Sequence, residues 1–363
     1  MLILTIVLLA LVLSVFLFLR LPRFGKLPEG ELLQRIKQSP NYKNGEFRNL
    51  SDTPMFTNDA SYFKLTKNFF FNKPKRGTPS KPLPSKKTDL NNLNPNEDVL
   101  IWFGHSSYFI QVDGMKILVD PVLSGAASPI SFTTPSFKGT DIYSPHKFPE
   151  IDFLFLTHDH WDHLDYKTLL TIKPKVKKVI TSLGVGSHLE RWGFDSSIIA
   201  ETDWNDVNDL GDGFIAHTET ARHFSGRTFT RNQSLWSSFV LQTPSLKIYL
   251  GGDSGYDGHF KTIGEQFGPF DIVMLECGQY NAWWQHIHMM PEETVQAAID
   301  LKAKRLFPVH WSKFQLAMHD WDEPITRVTA EAIRLNQPIV TPRIGEVVQL
   351  KNLGQQFSEW WKE

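Results

Sequence analysis

The sequence holds a single cysteine, Cys277, in 363 residues. That excludes an intramolecular disulfide framework and a cysteine-built zinc finger. A surplus of charge is missing too. Lys and Arg number 38 against 39 Asp and Glu, so the chain is no globally basic nucleic-acid binder. Nor is it poor in apolar residues. Hydrophobic residues make up 41% and charged residues 21%, which excludes disorder of the whole chain and leaves ample material for a core. No internal repeat stands out. This length suits about two domains or one large one.

Two features are conspicuous by their presence. The first is an apolar run, Leu2–Leu19, in which only Thr5 and Ser14 are polar and nothing is charged. Eighteen residues of helix rise about 27 Å, close to the roughly 30 Å of a bilayer's hydrocarbon core. A cleaved signal peptide is the alternative, but that needs a basic segment before the run and a small-residue cleavage site after it. Here Arg20, Arg23 and Lys26 all follow the run. The reading is an uncleaved single-pass anchor over residues 1–26, with the body of the protein on the cytoplasmic side by the positive-inside rule.

Residues 27–97 read as a connecting region of poor periodicity. Between Asp59 and Asp89 there are eight Lys or Arg and no acid, and residues 73–87 are rich in Pro and Lys. Such a stretch either attracts anionic lipid headgroups or simply wraps the domain as a solvated arm, the reading preferred here.

Regular structure is expected from residue 98 to the end. Short apolar runs at 99–103, 108–112 and 116–119 form a meander with a tight Asp113-Gly114 hairpin. Further strands are expected at 153–156, 178–181, 197–200, 214–218, 235–241, 248–250, 272–275 and 306–309. Helices are expected at 185–191, 291–303 and 323–335. Two runs of strands, each with helices, predict two sheets packed together under helical layers.

The second feature is where the 13 histidines fall. Directly after the strand at 153–156 comes His158-Asp159-His160-Trp161-Asp162-His163. Imidazole and carboxylate suit a divalent metal such as zinc. A helix cap is the alternative, but a cap needs one oxygen, not this set. His223, Asp253 and His310 each follow a predicted strand, Asp253 within Gly251-Gly252-Asp253-Ser254-Gly255. Alone, each is as readily an ordinary hydrogen-bonding or turn residue; together they are candidates to complete one site.

The HisXHisXAspHis motif, a distant His, an Asp in a glycine turn and a final His resemble the metallo-β-lactamase superfamily over about residues 99–349. The narrower wording resembles N-acylphosphatidylethanolamine-hydrolysing phospholipases D and their bacterial relatives. The matching stretches include Trp102-Phe-Gly-His105, Leu118-Val-Asp120-Pro121, Gly252-Asp-Ser-Gly-Tyr256 and His288-Met-Met-Pro291. The resemblance implies an α+β fold, an αββα four-layer sandwich behind the N-terminal transmembrane helix, with metals at one edge between the sheets. It implies one zinc on His158, His160 and His223, a second on Asp162, His163 and His310, and Asp253 bridging the two. His288 would lie near the scissile group, and His105 and Asp120 beside the site. Asp162 and Asp253 would orient a hydroxide activated by the two zinc ions. That hydroxide would cleave N-acylphosphatidylethanolamine to phosphatidic acid and an N-acylethanolamine, with His288 serving the leaving group. Arg222 departs from the pattern, standing where a Gln is expected.

The implied partners are a membrane phospholipid and the bilayer, no nucleic acid, and a second copy as a homodimer. Trp283, Trp284, Trp311 and Phe314 either line an acyl-chain groove or pack. Trp360 and Trp361 either touch membrane or pack. Cys277 reads as a small core residue. Two rival functions stay open: hydrolysis of a lactone or cyclic phosphodiester on the same metals, and a tethered metal-binding protein without catalysis.

Overall fold

A computed structural model describes residues 1–57, 60–72 and 74–363. Asn58, Asp59 and Lys73 of the basic connecting region lie outside the described residues.

In chain order the elements begin with helix α1 (Leu2–Leu19), α2 (Gly30–Gln38), the small hairpin β1 (Tyr42–Lys43) and β2 (Glu46–Phe47), and α3 (Tyr62–Phe71). Then come β3 (Val99–Trp102), β4 (Tyr108–Val112), β5 (Met115–Val119), β6 (Ile151–Leu156), α4 (Tyr166–Ile172), β7 (Val176–Ser182), α5 (Gly186–Arg191) and β8 (Ile199–Thr202). The second half holds β9 (Val207–Gly211), β10 (Phe214–Thr220), β11 (Ser237–Gln242), β12 (Lys247–Leu250), α6 (His259–Phe267), β13 (Ile272–Glu276), α7 (Pro291–Asp300), β14 (Leu306–Val309), α8 (Glu323–Arg334) and β15 (Val347–Gln349).

The strands make a seven-stranded sheet, β15-β3-β4-β5-β6-β7-β8, and a six-stranded sheet, β14-β13-β12-β11-β10-β9. Each is mixed: β5 to β8 run parallel, as do β12 to β14, and the other pairs are antiparallel. Strands buried on both faces read as continuous apolar runs, as β3 does throughout and β6 does from Phe153 to Leu156. Leu100, Trp102, Phe153 and Phe155 enter the core between the sheets. Ile101, Leu154 and Leu156 face the other way, onto Leu169 and Ile172 of α4 and Leu189 of α5. Across the sandwich the rings of Phe155 and Phe239 lie 5.3 Å apart, and those of Phe153 and Phe214 5.8 Å apart. Helices α6, α7 and α8 contribute Phe260, Val295 and Val328 to the core on the six-stranded side. This is the expected αββα sandwich. Its hairpin at Asp113 and Gly114 has φ +48° and +80°, the doubly left-handed form that suits a two-residue turn.

Helix α1 stands away from the sandwich with no residue buried, and is long and apolar enough to cross a membrane. The connecting region has more structure than its sequence suggests. Ile36 of α2 and Phe47 of β2 pack against Leu183, Trp204 and Trp236. The Pro-rich stretch is laid against the domain, Leu83 N–H donating to Lys138 O and Lys86 N–H to Ile344 O. The strand expected at 197–200 begins two residues later, after a single tight turn at Ser196–Ile198. Trp360 and Trp361 are buried, Trp360 stacking on Trp311 at 5.2 Å, so packing is what they do. Cys277 is buried as expected.

Candidate metal centre

Four strand ends from the two sheets deliver the candidate ligands to one edge of the sandwich. The loop after β6 carries His158, His160, Asp162 and His163; His223 follows β10, Asp253 follows β12 and His310 follows β14. The chain turns sharply at the strand ends around the site: His105 after β3, Asp120 after β5 and His310 after β14 have φ +53°, +39° and +69°. Non-glycine residues rarely hold such angles unless their surroundings impose them. Gly252, at φ +63°, has no such latitude, because a Cβ there would meet Thr157 Cβ at 3.0 Å.

The side chains gather in overlapping groups. His158, His160, His223 and Asp253 have ligand atoms within 4.8 Å of one another, as do His105, Asp162, His163 and His310. Asp253 stands between the groups. Its Oδ2 lies 3.8 Å from His158 Nε2, 3.7 Å from His223 Nε2 and 3.1 Å from His163 Nε2, while its Oδ1 lies 2.9 Å from His310 Nδ1. All seven residues proposed from the sequence are therefore brought together. His105 joins them more closely than expected, with Nε2 2.9 Å from Asp162 Oδ2.

Hydrogen bonds behind the ligands fix which nitrogen faces the cluster. Asp120 accepts from Thr157 N–H at 2.9 Å and Thr157 Oγ1 at 2.6 Å, and its Oδ2 lies 2.8 Å from His163 Nδ1. That pins a proton on Nδ1 and turns the Nε2 lone pair inward. His223 Nδ1 lies 2.8 Å from Ile287 O, with the same effect. Asn49 clasps the His223 backbone from both sides, accepting from its N–H at 3.1 Å and donating to its carbonyl at 2.8 Å.

The donor set fits divalent cations. His158 Nε2 and His223 Nε2 lie 2.9 and 3.2 Å from His160 Nδ1, so three ring nitrogens converge where one proton cannot satisfy them all. Nitrogens about 2.1 Å from a tetrahedral zinc are about 3.4 Å apart, close to this spacing. His163 Nε2 and Asp253 Oδ1 are buried without a hydrogen bond of proper geometry. Burial holds His158 and His223 well below the usual imidazole pKa and His310 down to about 3, keeping their lone pairs free. Burial opposes ionisation of Asp162 and Asp253, but neighbouring His163 outweighs it and holds both well below the usual carboxylate range. Burial works against a charged His163, but Asp253 and Asp162 outweigh it and raise this imidazole well above the usual range, so a metal, which binds neutral imidazole and ionised carboxylate, would displace the His163 Nε2 proton.

Above the cluster opens a cavity of about 320 Å³. His160, Asp162, Asp253, His288 and His310 face it, and Met55, Phe56, Leu65, Phe224, Trp284, Ile287 and Leu316 form an apolar wall. Of the aromatics considered for a groove, Trp284 lines this cavity, while Trp311 and Phe314 are buried. Arg222 supports the roof: its guanidinium donates to Asp52 O at 2.5 Å and Thr53 Oγ1 at 3.0 Å, holding the segment that carries Met55 and Phe56.

Glu276, at the end of β13, escaped the sequence reading. It is fully buried, lies 2.6 Å from His288 Nδ1 and accepts from Ser254 N–H at 2.8 Å. Burial pushes its carboxyl up to about 7; burial also works against a charged His288, but Glu276 outweighs it and raises the imidazole to about 9. An acid closing an apolar strand was the one signal in the sequence, and it is indistinct without its partner. Asn49, Met55 and Phe56 had no signal at all, since only the fold carries them to the site.

A family model described as a beta-lactamase superfamily domain matches residues 115–311. An uncharacterized protein of Mycobacterium tuberculosis is 35% identical over 330 residues, 90% of this chain and 88% of that protein. The N-acyl-phosphatidylethanolamine-hydrolyzing phospholipase D 1 of Caenorhabditis elegans is 26% identical over 321 residues, 80% of this chain and 86% of that protein. Among solved structures, the metallo hydrolase Igni18 of Ignicoccus hospitalis superposes with a TM-score of 0.54 at 18% identity, covering 70% of this chain and 98% of its own, a likeness of fold. With the sandwich and the clustered ligands already in view, these matches make the chain a member of the metallo-β-lactamase superfamily of metal-dependent hydrolases, resembling N-acylphosphatidylethanolamine-hydrolysing phospholipase D.

Proposed function

We propose that the chain is a membrane-anchored dizinc phosphodiesterase of phospholipase D type that cleaves N-acylphosphatidylethanolamine to phosphatidic acid and an N-acylethanolamine. The observation that carries this reading is the position of Asp253 between two ligand groups on the floor of a cavity with an apolar wall. The likeness to the nematode phospholipase D supports the substrate class. Helix α1 supplies the anchor, with the sandwich on the cytoplasmic side.

His158, His160 and His223 would hold one zinc ion, Asp162, His163 and His310 the other, and Asp253 both. When bound, the pair neutralises phosphodiester charge and lowers the pKa of a water from that of bulk toward about 7. Asp120 keeps His163 in the liganding tautomer. Asp162, at the cavity floor, accepts a hydrogen bond from the attacking water and orients it toward phosphorus. His288 faces the cavity with Nδ1 held by Glu276, which leaves Nε2 to hand a proton to the departing alkoxide. The wall of Met55, Phe56, Leu65 and Trp284 receives acyl chain and keeps bulk water off the floor.

The test is purified full-length protein, reloaded with zinc, given N-acylphosphatidylethanolamine and assayed by mass spectrometry. Release of both products at equal rates is expected. Turnover of a lactone or cyclic phosphodiester with the lipid left intact would replace this substrate assignment. Protein that retains no zinc would overturn the catalytic reading.

A further inference from the structure

We propose that the face of the domain from which α1 emerges is seated in the interfacial layer of a lipid bilayer, with Phe132 and Phe229 immersed in it. The inference rests on α1 crossing a bilayer, as proposed above, and is independent of which substrate is cleaved.

The junction between α1 and the sandwich is a clamp, not a tether. Trp192 Nε1 donates to Pro22 O at 2.7 Å, and Arg227 Nη2 to Arg23 O at 3.0 Å. Arg23 Nη1 donates to Pro129 O at 2.7 Å, Lys26 N–H to His188 Nδ1 at 3.1 Å, and Ser187 Oγ to Lys26 O at 2.8 Å. Phe24 is buried, its ring edge-on to Phe18 of α1 and to Trp161 of the metal loop, each at 5.1 Å. Gly25 has φ +75°, and a Cβ there would fall 2.0 Å from the His188 ring. Five hydrogen bonds across residues 22–26 fix the direction in which α1 leaves, so the bilayer's position relative to the domain is fixed with it.

Two aromatic tips flank this exit. Phe132 is 81% exposed, in the turn whose Pro129 carbonyl Arg23 holds, and that turn is stiffened by Ser128 Oγ and Thr133 N–H both donating to Ile130 O. Phe229 is 86% exposed, between Thr228 and Thr230, which share a hollow with Leu19 of α1. Leaving a phenylalanine in water forgoes about 2 kcal/mol of burial, and Phe is among the side chains that interfacial segments bury at the headgroup–acyl boundary. Lipid is the occupant because the neighbouring surface, α1, carries no charge, has only Thr5 and Ser14 as polar residues and has no buried residue. The consequence reaches the metal site: residues 224–231 carry Phe229 at their tip and also supply Phe224 and Arg231 to the cavity. Seating Phe229 in lipid therefore bears on the same loop that lines the cavity.

The test places single cysteines at Leu9, Phe132, Phe229 and Leu353 of the full chain in vesicles; Leu353 lies past β15, at the end of β3 opposite the metal loops, and buried Cys277 stays unlabelled. Each variant carries an environment-sensitive fluorophore and is read with and without nitroxide lipid. Blue-shifted emission with loss of intensity to nitroxide lipid is expected at 9, 132 and 229, and neither change at 353. Quenching at 9 without quenching at 132 and 229 overturns the seating and leaves the anchor standing. No quenching at 9 overturns both. A blue shift at 132 and 229 that nitroxide lipid does not quench places protein there, not lipid, and also overturns the proposal.

Discussion

Asp120→Asn isolates the role of a buried hydrogen bond in metal binding. Asp120 is 1% exposed and acts only as an acceptor, for Thr157 N–H, Thr157 Oγ1 and the Nδ1–H of His163. Asparagine has the same shape, but one of its two atoms is a donor. With the amide oxygen kept on Thr157 N–H, the amide nitrogen faces His163 Nδ1 at the 2.8 Å position. Two donors cannot face each other, so His163 must move its proton to Nε2, the nitrogen that points at Asp253. The liganding lone pair is then lost. Replacing a partner of this kind costs about 10- to 100-fold in metal affinity, or about 1.4 to 2.8 kcal/mol. The weakened bond to Thr157 Oγ1 removes about 1 kcal/mol from metal-free stability. Zinc competition against a chromophoric chelator measures the first quantity, and thermal melting of metal-free protein the second. Wild-type zinc affinity in a folded Asp120→Asn protein would refute the tautomer argument.

Asp253→Asn should abolish binding of at least one zinc equivalent and hydrolysis with it, because one carboxylate serves both groups; elemental analysis and the lipid assay check this, and unchanged zinc with unchanged activity would defeat the bridging assignment. Glu276→Gln should keep the metal content and lower kcat about 10²-fold, since His288 loses the anion that holds its proton; metal analysis beside turnover separates this from collapse of the site. Glu219 on β10 tests the electrostatics of the fold. Burial raises its carboxyl to about 7, so the native state holds a proton that the unfolded chain releases near 4.5. The cost to stability is absent below about pH 4.5, grows as pH rises to 7 and is complete above that, at roughly 1–3 kcal/mol after allowing for partial solvent access. Glu219→Gln should therefore melt higher than the parent at pH 8 and match it at pH 4.

The parts of this molecule that the sequence announces are those whose signal is local. β14 at Leu306–Val309 is a short apolar run in a polar setting, and α7 opens on Pro291-Glu292-Glu293, so both were placed from residues alone. The histidine motif is local as well, and the sheet carries its distant partners to it. What was missed depends on contacts. β9 is an edge strand whose side chains are half exposed, so its apolar alternation is weak. α2 and α3 are helices of 9 and 10 residues, too short to stand on propensity alone; α2 owes its place to Ile36 packing with Trp236. Glu276 and Asn49 are ordinary residues in sequence, and acquire their meaning only when His288 and His223 are folded onto them. Arg222 looked like a departure, and its partners at Asp52 and Thr53 explain it as a brace for a segment 170 residues upstream.

The order of the strand ends along the chain has a consequence for biosynthesis. His158 to His163 leave the ribosome first, and His310 follows 147 residues later, an interval of roughly 7 to 30 s at ordinary translation rates. During that time the nascent polypeptide exposes a three-histidine fragment able to hold an ion only loosely. One ligand group is complete once Asp253 has followed, but the group that needs His310 can close only after the two halves of the newborn sandwich have met.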